Sequence, residues 1–136
     1  MIGVLAGKWS RAAALTAVVV CGGVLTVPAS AHHSFAQFDQ SKAVVLKGTV
    51  KSWEFTNPHS WLQLICVENG HEVEYGVEGA SVSTLVRRGW SRTTFKVGEP
   101  VTIEIYPSRD ASKKEGALLK ATFADGRTVS TGITPG

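Results

Sequence analysis

The chain has 136 residues, with 14 Lys and Arg against 11 Asp and Glu, a formal net charge of +3. Without Lys8 and Arg11 at the front the charge falls to about +1, and a nearly neutral surface carries no electrostatic footprint for nucleic acid. No internal repeat, coiled coil or low-complexity segment is present.

Lys8 and Arg11 precede an apolar run from Ala12 to Val27, which Gly22-Gly23 interrupts and Pro28 ends. Ala29-Ser30-Ala31 then supplies the small residues that a signal peptidase needs. A spanning helix wants about 20 apolar residues, and this run is shorter and broken. Lipid attachment at Cys21 is disfavoured, because Val20 before it is not small. The expectation is a cleaved signal peptide over residues 1–31 and a single domain over 32–136, located in the periplasm or secreted. No stable membrane span is expected after cleavage. Cys66 is then the one remaining cysteine, so no internal disulfide can form. Its neighbours Leu62, Leu64, Ile65 and Val67 predict a buried, inert thiol.

Residues 32–42 form a polar lead-in with two aromatic pins, Phe35 and Phe38. Ala43 to Phe55 reads as a strand, and Gly48 inside it marks a bulge or sharp bend. Thr56-Asn57-Pro58-His59 is turn chemistry, Ser60 to Val67 a second strand, and Asn69-Gly70 a hairpin turn. Glu72 to Glu78 alternates with period two, one face acidic and wet, the other packed. A short helix within 81–89 follows, with Ser81 or Ser83 as its cap and Gly89 as its end; Trp90 is a core anchor. Val101 to Tyr106 and Ala117 to Phe123 complete the strands, and Asp125-Gly126 turns into a short final extension, Thr128 to Ile133. The fold class is all-β with one short helix. The order β-β-β-α-β-β is that of a small OB-like five-stranded barrel, though other small barrels and open sheets with one helix fit the same string. Val50, Leu62, Leu64, Val77, Leu85, Ile103, Ile105 and Leu119 are the expected core.

Ala31-His32-His33-Ser34-Phe35, Phe38-Asp39, Leu46-Lys47-Gly48-Thr49-Val50 and above all Asn57-Pro58-His59-Ser60-Trp61 form a distinctive set. Glu78-Gly79, Leu85, Gly89-Trp90, Gly98 and Asp125-Gly126-Arg127 extend it to near the end. In these residues the chain resembles a family of small exported bacterial proteins catalogued only as a domain of unknown function. Tyr75 departs from the tryptophan expected in relatives. The resemblance implies export and an intact domain, and it carries no mechanism.

All four histidines lie beyond the expected cleavage site: His32, His33, His59 and His71. Cleavage after Ala31 makes His32 the first residue, whose α-amine and Nδ1 chelate one metal ion together. A further imidazole completes a nitrogen-rich set of the kind that suits Cu(II). His59 is the best partner, held in a turn by Pro58, with His33 as a further metal candidate. Consecutive side chains of an extended segment point to opposite sides, so His32 and His33 serve one rigid site only across a turn. The bland alternative is a solvated terminus, with His59 capping its own turn. His71 reads as an exposed hairpin residue.

Trp53, Asn57, His59 and Trp61 are the candidate ligand-binding residues, because the two tryptophans flank the Asn57-Pro58-His59 turn. The competing role for the aromatics Trp53, Phe55, Trp61, Tyr75 and Trp90 is core. Enzyme signatures are poor. Gly79-Ala80-Ser81-Val82-Ser83 fails the nucleophile-elbow pattern at its last position, and no zinc-protease, Cys-x-x-Cys or phosphate-loop motif occurs. Arg87, Arg88 and Arg92 cluster around Gly89-Trp90, where a polar helix end explains them. The expectation is a non-enzymatic binding module for a small ligand or a periplasmic protein, or alternatively a copper protein using His32 with His59.

Overall fold

The computed structural model describes residues 35–133; the expected leader, His32 and His33 lie outside the described residues. Six strands and one helix follow in order: β1 (Val44–Glu54), β2 (Trp61–Glu68), β3 (His71–Glu78), α1 (Val82–Val86), β4 (Pro100–Pro107), β5 (Glu115–Phe123) and β6 (Thr128–Ser130). The sheet runs β3-β2-β1-β4-β5-β6, and a parallel pairing of β3 with β5 closes five strands into a mixed barrel. The architecture is the expected β-β-β-α-β-β barrel, with β6 added outside it. Among the described residues no helix is long and apolar enough to cross a membrane.

Alternation builds the interior, and two irregularities redirect it. In β1, Leu46 and Val50 face inward until Lys51 bulges from the register with β2; Trp53 and Phe55 then face inward instead. One extra residue shifts the phase of the pleat and bends the strand. The bulge is therefore at Lys51 and not at Gly48. A Cβ at Gly48 would stand 2.5 Å from the Ile65 carbonyl oxygen, so glycine there answers the close approach of β2. In β5 the register with β4 slips at Leu119. Leu118 thereby joins the barrel core, while Ala117 and Leu119 join Phe38 and Tyr106 in a second apolar cluster.

The local signals explain the connections. Asn69 and Gly70 turn the β2–β3 hairpin with φ of 51° and 79°, as a primed two-residue turn requires. Ser81 caps α1, its Oγ accepting from Thr84 N–H. Past the helix, Gly89 adopts φ 85° and Trp90 N–H donates back to the Leu85 carbonyl at 3.0 Å. All eight expected core residues are buried, and so are Cys66, Trp90 and Phe95. Burial pushes the Cys66 thiol up, in keeping with an inert side chain. Trp53, Phe55, Trp90, Phe95 and Phe123 pack ring to ring at centroid separations of 5.1 to 6.2 Å.

The lead-in is part of the fold. Phe38 is buried against Tyr106, Ala117 and Leu119, and Phe35 meets Phe38 and Tyr106 edge to face. Asp39 N–H donates to Pro107 O at 2.8 Å, and Arg109 N–H donates to Gln37 O at 2.9 Å. These contacts lay residues 35–39 along the β4–β5 connection and carry them toward the C-terminal end of β3.

Candidate functional site

The β1–β2 connection and the end of β3 are stapled together by backbone. Ser60 N–H donates to Ala80 O at 3.2 Å, and Gly79 N–H donates to Ser60 O at 2.7 Å. Ser60 is fully buried, and its hydroxyl donates to Thr56 O at 3.3 Å. The Asn57–Pro58 peptide bond in this connection is cis. Asn57 Oδ1 accepts from Val82 N–H at 3.0 Å, so the turn also holds the start of α1. His59 thus stands on a backbone fixed from both sides.

Its imidazole is fixed as well. His59 Nδ1 lies 3.0 Å from Glu78 Oε1 and 3.2 Å from the Gly79 carbonyl oxygen. Both neighbours are acceptors, so Nδ1 carries the hydrogen, and in the neutral ring the lone pair stands at Nε2. Among the described residues Nε2 has no hydrogen-bond partner, and the side chain is 27% exposed. Glu78, by contrast, is 6% exposed. Its second oxygen accepts from Gln37 Nε2 at 3.2 Å. A buried carboxylate requires polar partners to offset lost hydration; here Oε2 accepts a hydrogen bond from Gln37 and Oε1 lies against the imidazole.

Glu78 corrects the expectation of a uniformly wet acidic face on β3. Glu72 and Glu74 are exposed, but the lead-in and His59 cover Glu78. The signal for this proximity was in the hairpin: stepping back from Asn69-Gly70 pairs Glu68 with His71 and, at the other end, Trp61 with Glu78. No periodicity marks Gln37, whose place depends on the docking of the lead-in.

The other sequence-derived candidates take different places. Trp61 sits on the outer face of β2, half-buried, between Glu54 of β1 and Glu78 of β3. Trp53 belongs to the aromatic cluster, and its Nε1–H donates to Ser91 O at 3.0 Å. Asn57 is engaged with α1. His59 and Trp61 are therefore brought together beside Glu78, whereas Trp53 and Asn57 have structural partners. His71 is exposed at the hairpin, at the opposite end of β3 from Glu78. His32 and His33 lie outside the described residues. Among the described residues no three His, Cys, Asp or Glu side chains gather as a metal set. An open cleft of about 260 Å³ lies away from His59, over β1, β4 and β5, lined by Lys47, Pro100, Thr102, Thr122 and Phe123.

A family model described as "Family of unknown function (DUF6152)" matches residues 18–117. The chain belongs to that family. No curated protein matches it.

Proposed function

We propose that this member of a family without an assigned activity is an exported, non-enzymatic binding module. It acts in the periplasm or outside the cell and holds a small ligand or a protein partner at the His59 end of its barrel. The observation that supports this most is the held imidazole: one ring nitrogen is bonded to the Gly79 carbonyl against Glu78, the cross-strand neighbour of Trp61, and the other has no hydrogen-bond partner among the described residues. In OB-type barrels the face of β2 and β3 and the loops beside it form the usual binding surface. The hydroxyl of Ser60 is buried and given to Thr56, so it is not offered to the imidazole as a nucleophile. Native mass spectrometry of protein purified after export tests the reading. The expected result is a chain beginning at His32 that carries a bound species, lost in His59→Ala. An intact Met1, or a start at Cys21 with attached lipid, overturns the processing; a bare mass in both proteins overturns the module.

Copper is the second reading, favoured by the bond from Gln37 to Glu78. The lead-in reaches the His59 pair at Gln37, and His33 is four residues upstream, a reach of about 14 Å at most for an extended chain. His32, with the α-amine that cleavage creates, then supplies two nitrogens and His59 Nε2 a third, a set suited to Cu(II). His33 is the alternative imidazole. Isothermal titration with Cu(II) is expected to give one site in the cleaved protein, weaker by tenfold or more when a Met precedes His32 or in His59→Ala. His71→Ala is expected to change little. Equal affinity for the cleaved and Met-extended forms removes the amine from the site and the copper reading with it.

A further inference from the structure

We propose that Glu78 is a positioning residue, which keeps His59 in its Nδ1–H form and presents Nε2 outward as an electron-pair donor, with Gln37 seating the carboxylate from the lead-in. The proposal deepens the copper reading, on which it rests for the identity of the metal but not for the geometry.

The argument begins with redundancy. If His59 merely closed its own turn, the Gly79 carbonyl at 3.2 Å would satisfy Nδ1–H. The fold nevertheless buries a carboxylate 3.0 Å from the same nitrogen, where it repels a lone pair on Nδ1 and favours a hydrogen there. Glu78 has no Lys or Arg partner among the described ion pairs; a carboxamide N–H donates to it, and an imidazole nitrogen lies 3.0 Å away. Replacing a buried charge by a well-packed apolar side chain is often neutral or stabilising, so stability alone gives little reason to keep this one. A cation at Nε2 does give a reason. A metal-binding imidazole characteristically donates its other N–H to a carboxylate or carbonyl, which sets the tautomer and the ring orientation. His59 bonds to the Gly79 carbonyl and has the Glu78 carboxylate against the same nitrogen.

The test has a metal-free arm and a metal arm. Nitrogen NMR of the labelled, processed protein is expected to show His59 Nδ1 protonated and Nε2 bare, with the Nδ1–H proton far downfield. In Glu78→Gln that proton is expected to move upfield, while Glu74→Gln leaves it in place. In the metal arm, titration with Cu(II) alone is expected to show about tenfold weaker binding for Glu78→Gln. Pulsed EPR of the copper-bound protein is expected to show a changed coupling to the remote imidazole nitrogen in that variant only. Two results overturn the proposal: Nε2–H as the main form in the wild type, or an unmoved Nδ1–H signal in Glu78→Gln. If the wild type takes up no Cu(II), the copper reading fails while the metal-free arm still decides the role of Glu78. If Glu78→Gln does not fold, Gln37→Ala removes only the seat and gives the same readouts at smaller size, or overturns the proposal by leaving them unchanged.

Discussion

Glu74 and Glu78 leave the same strand on the same face, four residues apart, and meet opposite surroundings. Glu74 is exposed and pairs, across β2, with Lys51 of β1 at 2.6 Å. Glu78 is buried, set against a partly buried histidine and bonded to a glutamine from the lead-in. Alternation along a strand therefore says which face a side chain takes, not what later covers that face. The cover here is a segment that comes before the barrel in the chain and packs along the β4–β5 connection.

The cover gives the largest expected effect. Phe38 is buried against Tyr106, Ala117 and Leu119 and anchors the segment that carries Gln37. Phe38→Ala is expected to cost about 3–5 kcal/mol in urea denaturation, the usual range for a buried phenylalanine. It is also expected to make Glu78 behave like Glu74. In the Phe38→Ala background, replacing Glu78 should cost no more than replacing Glu74 does, a coupling that a double-mutant cycle reads directly. Additive effects would mean that Glu78 does not depend on the lead-in.

In the intact protein the two glutamates are expected to separate clearly. Glu78→Ala leaves the carboxamide of Gln37 without its acceptor and opens a hole beneath the turn, for a loss of about 1–3 kcal/mol. Glu74→Ala and Lys51→Ala break an exposed pair and are expected to cost about 0–1 kcal/mol each. Thermal or denaturant unfolding of the three variants measures this. Equal losses at positions 74 and 78 would break the comparison.

The same contrast explains how much was legible in the sequence. Turn residues and apolar patterning were sufficient for the barrel order, because Asn69-Gly70, the Ser81 cap and Gly89 each act over a few residues. Gly48 reads as a bulge or a sharp bend, and the bulge itself stands three residues further on, at Lys51. Gly48 and Lys51 both fit a bulge, and only the phase change from Val50 to Trp53 separates them: two residues lie between inward positions where a regular strand has one. At the site, His59 and Trp61 carried a local signal, a turn and the start of a strand. Glu78 looked like one member of a solvated row. Its burial depends on Phe38 meeting Tyr106 and Leu119, contacts between residues far apart in the chain, which no local pattern encodes. Trp53 and Asn57 stood beside the same turn in sequence, yet the inward phase after the bulge and the start of α1 drew their side chains into structural contacts.

Glu68 supplies an intermediate case between Glu74 and Glu78, and the smallest effect. It is solvent-accessible, but it accepts from Tyr75 Oη–H and pairs with Lys114 Nζ at 2.8 Å, while Lys114 also lies 5.4 Å from the centre of the Tyr75 ring. The three residues bridge β2 and β3 to the segment entering β5, beside the parallel pairing that closes the barrel. The hydrogen bonds from Lys114 and then Tyr75 hold the Glu68 carboxyl below its ordinary range. The bond to Glu68, followed by that to Tyr75, holds the Lys114 ammonium above its ordinary range. Burial, followed by the bond to Glu68, pushes the Tyr75 phenol up. A lowered carboxyl stabilises the fold above its unfolded value and loses that contribution as pH falls through the folded one; a raised ammonium or phenol stabilises below its unfolded value and loses it as pH rises. The triad therefore supports the seam between about pH 4 and about pH 10, and fades on both sides. Denaturation midpoints of the wild type and Glu68→Gln are expected to differ on that plateau and to converge toward acid and toward strong base. Added salt should shrink the difference on the plateau, since exposed charges are screened. A difference that stays constant from pH 3 to pH 7 would mean that the Glu68 charge does not hold the seam, leaving Glu68 no closer to Glu78 than Glu74 is.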